Sequence, residues 1–109
     1  MSTKIISPDS QTKVIPKDET TFQQPRLYRV ILLNDDYTTR EFVVWVLQMI
    51  FHKSQNESVQ LMLEVHTKGK GIAGVYPYDI ARTKAHQVMT LAEKHEYPLK
   101  CIIECEESC

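Results

Sequence analysis

A chain of 109 residues that is 42% hydrophobic and 25% charged has the size and composition of one globular domain, with one modest core and no room for a cofactor domain beside a substrate domain. Its formal net charge of -1 gives no electrostatic reason to expect nucleic acid or an anionic membrane as partner. No apolar run approaches the roughly 20 residues of a membrane span, and the N-terminus has no apolar segment of the kind a signal peptide carries, so the expected compartment is the cytoplasm.

Residues 1–25 are polar, and their apolar members Ile5, Ile6, Val14 and Ile15 are too sparse to make a packed face. This stretch is expected to be a flexible extension, with the core domain over residues 26–109. The β-branched and apolar run over residues 27–33 predicts a first strand. Asn34-Asp35-Asp36-Tyr37 is a turn signal, because Asn and Asp bond their own backbone and oppose strand continuation. Thr38 with Glu41 reads as a capping box that opens a helix, and Phe42, Val43, Val46, Leu47, Ile50 and Phe51 follow at helical spacing.

A second capping box, Ser54 with Glu57, opens a helix whose inner stripe reads as Val59, Met62, Leu63 and His66. Lys68-Gly69-Lys70-Gly71 ends it, with glycine free to take the left-handed conformation of a C-cap. Residues 72–76 predict a second strand, and Pro77 closes it and can open the next helix. That helix is expected to run to about His95, with Ile80, Ala81, Val88, Leu91 and Ala92 inward. Tyr97-Pro98 breaks the pattern, and residues 99–104 predict a third strand. The order β-α-α-β-α-β gives an α+β two-layer sandwich, a three-stranded antiparallel sheet with helices on one face.

Three cysteines fall late in the chain: Cys101, Cys105 and Cys109. In an extended segment Cys101 and Cys105 lie roughly 13 Å apart by strand rise, beyond the ~7 Å that a disulfide spans. Their spacing is not a zinc pattern, so all three are expected to be ordinary core or tail thiols. The polar cluster with chemical interest is Asn34, Asp35, Asp36 and His66. Its bland reading is a tight strand-to-helix turn plus a core histidine, since His66 shares a helical stripe with Val59 and Met62 and should face apolar surroundings. A small metal-dependent enzyme using Asp35, Asp36 and His66 is a rival reading, although the spacing of a metal site is absent. No nucleophile is placed near His66 by any motif, and there is no phosphate loop or cofactor fingerprint. The chain is therefore expected to be non-enzymatic and to use no cofactor. Trp45, Met49 and His52 form a further helical stripe, read as partly buried packing.

Three blocks carry a resemblance to a known family. LLNDDYTTREFVVWVL closely resembles the strand-turn-helix signature of ClpS adaptors of the Clp protease, LMLEVHTKGKGIAGVY its second block and EKHEYPLKCIIE its final strand. They occur in the family's order and nearly span residues 26–105. The resemblance implies the same β-α-α-β-α-β fold, and a monomeric adaptor that binds N-degron substrates beginning with Leu, Phe, Tyr or Trp and passes them to the ClpA or ClpC unfoldase of ClpP. It implies an amino-group site at Asn34, Asp35 and His66, with Asp36 in the same turn. It implies an adjacent hydrophobic pocket lined by Leu32, Thr38, Arg40, Val43, Met62, Val65 and Leu99. It implies unfoldase docking through Asp79 and Lys84, helped by the N-terminal tail.

The physics suits such a site. An α-ammonium carries three donors and a charge, and burying it unpaired costs several kcal/mol. Burying a Leu or Phe side chain contributes roughly 1.5–3 kcal/mol, so neither half alone gives the ~8 kcal/mol of micromolar binding. The chain departs from the family pattern at Thr39 and Arg40, where Pro and Met are usual. The Met borders the pocket and helps reject β-branched residues. Arg40 can lay its aliphatic stem along the rim with its charge in solvent, or pair with Asp35 or Asp36; it is expected to narrow the accepted set and to favour an acidic second residue. A same-fold interaction module without an amino-group site, such as a ribosomal stalk-like domain, is the other alternative.

Overall fold

The computed structural model describes residues 25–106. Six elements follow in the expected order: β1 (Leu27–Leu33), α1 (Arg40–Met49), α2 (Gln55–Lys68), β2 (Lys70–Pro77), α3 (Tyr78–Lys94) and β3 (Lys100–Cys105). The strands form one antiparallel sheet in the order β2-β1-β3, with the first strand in the centre. The expected N-terminal extension falls almost wholly outside the described residues, as does Cys109.

Alternation along β1 sets the two faces. Val30 and Leu32 are fully buried in the core, and their cross-strand partners include Gly71, Gly74, Cys101 and Ile103. Ile31 points to the other face and pairs with Ile72 and Ile102. In the β1–β2 ladder Val30 opposes Gly74 and Ile31 opposes Ile72, so Ala73 is an extra residue that bulges the edge strand. All six expected α1 positions are buried: Phe42, Val43, Val46, Leu47, Ile50 and Phe51. Phe42 also meets Tyr97 at 4.7 Å between ring centroids, which ties the start of α1 to the segment before β3.

Local capping fixes the helix ends, with one correction. Ser54 and Glu57 form the expected reciprocal box at the start of α2. Gly69 closes α2 with φ 90°, the left-handed conformation expected of a glycine there. The cap of α1, however, is Thr39 rather than Thr38: its Oγ1 accepts from Phe42 N at 3.1 Å. The Thr38 hydroxyl instead donates to Asp35 Oδ2.

Two helical stripes are also corrected. In α2 Met62 is buried as expected, but its buried companions are Ser58 and Val65; Val59 is half-buried and Leu63 exposed. A serine holding a core position hides that face from a hydropathy pattern. In α3 Ala81, Val88 and Ala92 are buried as expected and Ala85 joins them, while Leu91 is half-buried and Ile80 exposed. Ala81, Ala85, Val88 and Ala92, at i, i+4, i+7 and i+11, share the face this helix buries. Trp45 packs on Phe42 and His95, whereas Met49 is 57% exposed and His52 lies outside the helix with φ 57°.

Cys101 is buried and free, and burial pushes its thiol up to about 11. Cys105 is disulfide-bonded, which corrects the expectation that it is an ordinary thiol. Among the described residues no helix is long and apolar enough to cross a membrane.

Candidate functional site

The candidate site is a cavity of about 420 Å³ between the β1–α1 turn, the first half of α1 and the last turns of α2. The backbone N–H of Asn34 donates to the carbonyl of Gly69 at 2.9 Å. That bond ties the end of β1 to the C-cap of α2, and it is why residues 34–36 and residue 66 meet at one place.

The turn is built around Asp35. Its Oδ1 accepts from Tyr37 N at 2.8 Å and Thr38 N at 2.7 Å, and its Oδ2 accepts from Thr38 Oγ1 at 2.7 Å. Partial burial pushes this carboxyl upward, but the hydrogen bonds from Thr38 and Tyr37 outweigh it and hold the pKa below the usual carboxylate value. Asp35 is thus an anion at neutral pH, with one of its roughly four lone-pair positions still unused. Asn34 and Asp36 are exposed, and neither side chain hydrogen-bonds a described residue.

His66 projects from the last turn of α2 onto the cavity rim and is exposed, not enclosed by apolar groups as its stripe had predicted. It lies one residue, or about 100° of helix turn, beyond the buried Val65. Its Nε2 is 2.9 Å from Nη2 of Arg40, the first residue of α1.

The cavity brings together Asn34, Asp35, Asp36, Thr38, Arg40, Val43, Met62, Val65 and His66. Val43, Met62 and Val65 are buried and form its apolar wall. Leu32 and Leu99 are buried in the core and do not line it. Tyr37, Thr39 and Glu41 also line the cavity. The sequence singled out Tyr37 in the turn, Glu41 in a capping box and Thr39 as a departure from the family pattern, but none of them as lining. Among the described residues no three His, Cys, Asp or Glu side chains are grouped so as to hold a metal ion.

The two expected docking residues are separate from this cavity. Asp79 is exposed in the first turn of α3. Lys84 turns inward: its Nζ donates to the carbonyl of Ile50 at 2.7 Å and lies 5.7 Å from the centroid of the Tyr76 ring. It therefore caps the C-terminal end of α1.

Comparison with known proteins places this geometry in a family. Residues 23–102 match the family described as "ATP-dependent Clp protease adaptor protein ClpS". A relative from Hyphomonas neptunium, named an ATP-dependent Clp protease adapter protein ClpS, is 52% identical over 85 residues, covering 78% of this chain and 72% of the relative. One of the same name from Acetivibrio thermocellus is 51% identical over 96 residues, covering 86% of this chain and 97% of the relative. The solved structure of Agrobacterium tumefaciens ClpS2 bound to L-phenylalaninamide superposes with a TM-score of 0.74 at 41% identity, covering 76% of this chain and all of that one. The family match over most of the chain, the identities near one half and the shared fold lead to one conclusion: this chain belongs to the ClpS family of Clp protease adaptors.

Proposed function

We propose that the chain binds substrates by a free N-terminal amino group and a bulky hydrophobic first side chain, and hands them to a ClpA or ClpC unfoldase. The observation that carries this reading is the cavity itself, with acceptors on the rim and an apolar wall behind them. Asp35 supplies a negative charge and one unused lone-pair position, Asn34 a free amide oxygen and Asp36 a free carboxylate. Val43, Met62 and Val65 offer the surface against which a first side chain loses its water. The ligand in the Agrobacterium structure is a free α-amine carrying a benzyl group and an amide, which is the chemistry of a peptide's first residue.

Asp79, exposed on α3, suits contact with an unfoldase as it stands. Lys84 would reach a partner by leaving the Ile50 carbonyl.

Fluorescence anisotropy with labelled peptides that differ only in the first residue tests the reading. Peptides starting with Leu, Phe, Tyr or Trp should bind, and N-acetylation should abolish binding. Acetylation removes the charge and two donors and leaves acceptors unpaired at about 1–3 kcal/mol each. Equal affinity for free and acetylated peptides would refute the proposal.

A further inference from the structure

A neutral imidazole has one protonated nitrogen and one acceptor nitrogen. A guanidinium stays charged and has donors only. The 2.9 Å contact between Arg40 Nη2 and His66 Nε2 therefore has a single sense: Arg40 donates, Nε2 accepts, and the ring proton sits on Nδ1. In this arrangement His66 has no lone pair left. The other rim acceptors are in a different condition, since Asp35 has one unused position and the Asn34 and Asp36 side chains bond no described residue. Asn34, Asp35 and Asp36 each keep an open acceptor position, whereas the acceptor of His66 is taken by the chain's own first helical residue.

We propose that Arg40 is a specificity-determining residue that competes with the incoming ammonium for the acceptor of His66. This rests on the reading that the cavity takes a free N-terminal amino group. An ammonium can use His66 only after the guanidinium leaves. The displacement costs the same for every substrate, so first residues that gain least from burial fall below useful affinity first. The released guanidinium sits at the rim beside the outgoing peptide chain. A carboxylate on the second residue gives it a new partner, offsets the displacement and raises affinity.

The test is a double-variant cycle. Dissociation constants are measured for wild type, Arg40→Met, His66→Ala and the double variant, each with peptides beginning Phe-Glu and Phe-Lys and with their acetylated forms. Arg40→Met should tighten Phe-Lys binding about tenfold when His66 is present, the scale of one charge-assisted hydrogen bond, and by less than about twofold when it is absent. The preference for Phe-Glu over Phe-Lys should be present in wild type and shrink in Arg40→Met. An equal gain in both backgrounds would overturn the proposal, because it would come from removing a cation or adding apolar wall and not from His66. No gain in Arg40→Met would overturn it as well.

A second readout is independent of peptide. The long-range proton–nitrogen spectrum of the His66 ring in the free protein should show the Nδ1–H form in wild type and lose it in Arg40→Met. A wild-type ring protonated on Nε2 and bare at Nδ1 would overturn the proposal. If wild type and variants all bind free and acetylated peptides alike, the reading of the cavity itself fails, a result distinct from failure of the Arg40 competition.

Discussion

Replacing Asp35 by Asn should weaken peptide binding while leaving the turn in place; replacing it by Ala should damage both. The carboxylate accepts three hydrogen bonds, two of them from the backbone N–H groups of Tyr37 and Thr38. Asn keeps an oxygen for those two donors and loses the charge. Ala leaves both donors without a protein partner, at about 1 kcal/mol each, or about 2 kcal/mol together. In a domain of this size each kcal/mol moves the melting midpoint by roughly 4–8 °C. Asp35→Asn should therefore stay near wild type in urea unfolding but bind a Phe peptide about tenfold or more weakly, since a charge-assisted bond contributes about 1.5–3 kcal/mol.

The pH dependence has a defined sign. The folded pKa of Asp35 is lowered, so its stabilising contribution is present above the unfolded value of about 3.9 and is lost as pH falls through the lower folded value. Any stability gap between wild type and Asp35→Asn should close in that acidic window. If Asp35→Asn binds peptide like wild type while Asp35→Ala does not, Asp35 only shapes the turn and the charge argument is refuted.

Three further outcomes test the fold around the site. Ser54→Ala removes the capping box of α2 and should lower stability by about 1 kcal/mol in urea unfolding; an unchanged midpoint would mean the box contributes nothing. Ser58 is fully buried with no partner for its hydroxyl among the described residues, so Ser58→Ala should be neutral or stabilising by up to about 1 kcal/mol; a clear loss of thermal stability would show that the hydroxyl is satisfied in solution. Lys84→Met breaks the bond to the Ile50 carbonyl and should cost about 1–2 kcal/mol in urea unfolding; no change would mark Lys84 as free to serve a partner.

Much of the fold was legible in the sequence because its signals are local. A β-branched run, a reciprocal Ser54–Glu57 cap, a glycine at the C-cap and the apolar residues at helical spacing in and just after α1 depend only on neighbours within a few positions. The three family blocks pointed to the proposed site, whose residues come from the β1–α1 turn, the start of α1 and α2. Tertiary structure decided what depends on competition between groups distant in the chain or within one turn. The Thr38 hydroxyl donates to Asp35, and the helix cap is Thr39. In α2 Ser58 and Val65 share the core face with Met62, and His66 lies beyond that face at the rim. Lys84 found the end of α1, 34 residues away in sequence, and Arg40 found His66 across 26 residues. Periodicity tells which residues share a stripe; which group covers that stripe, and which donor reaches a given acceptor first, is fixed only when the elements pack.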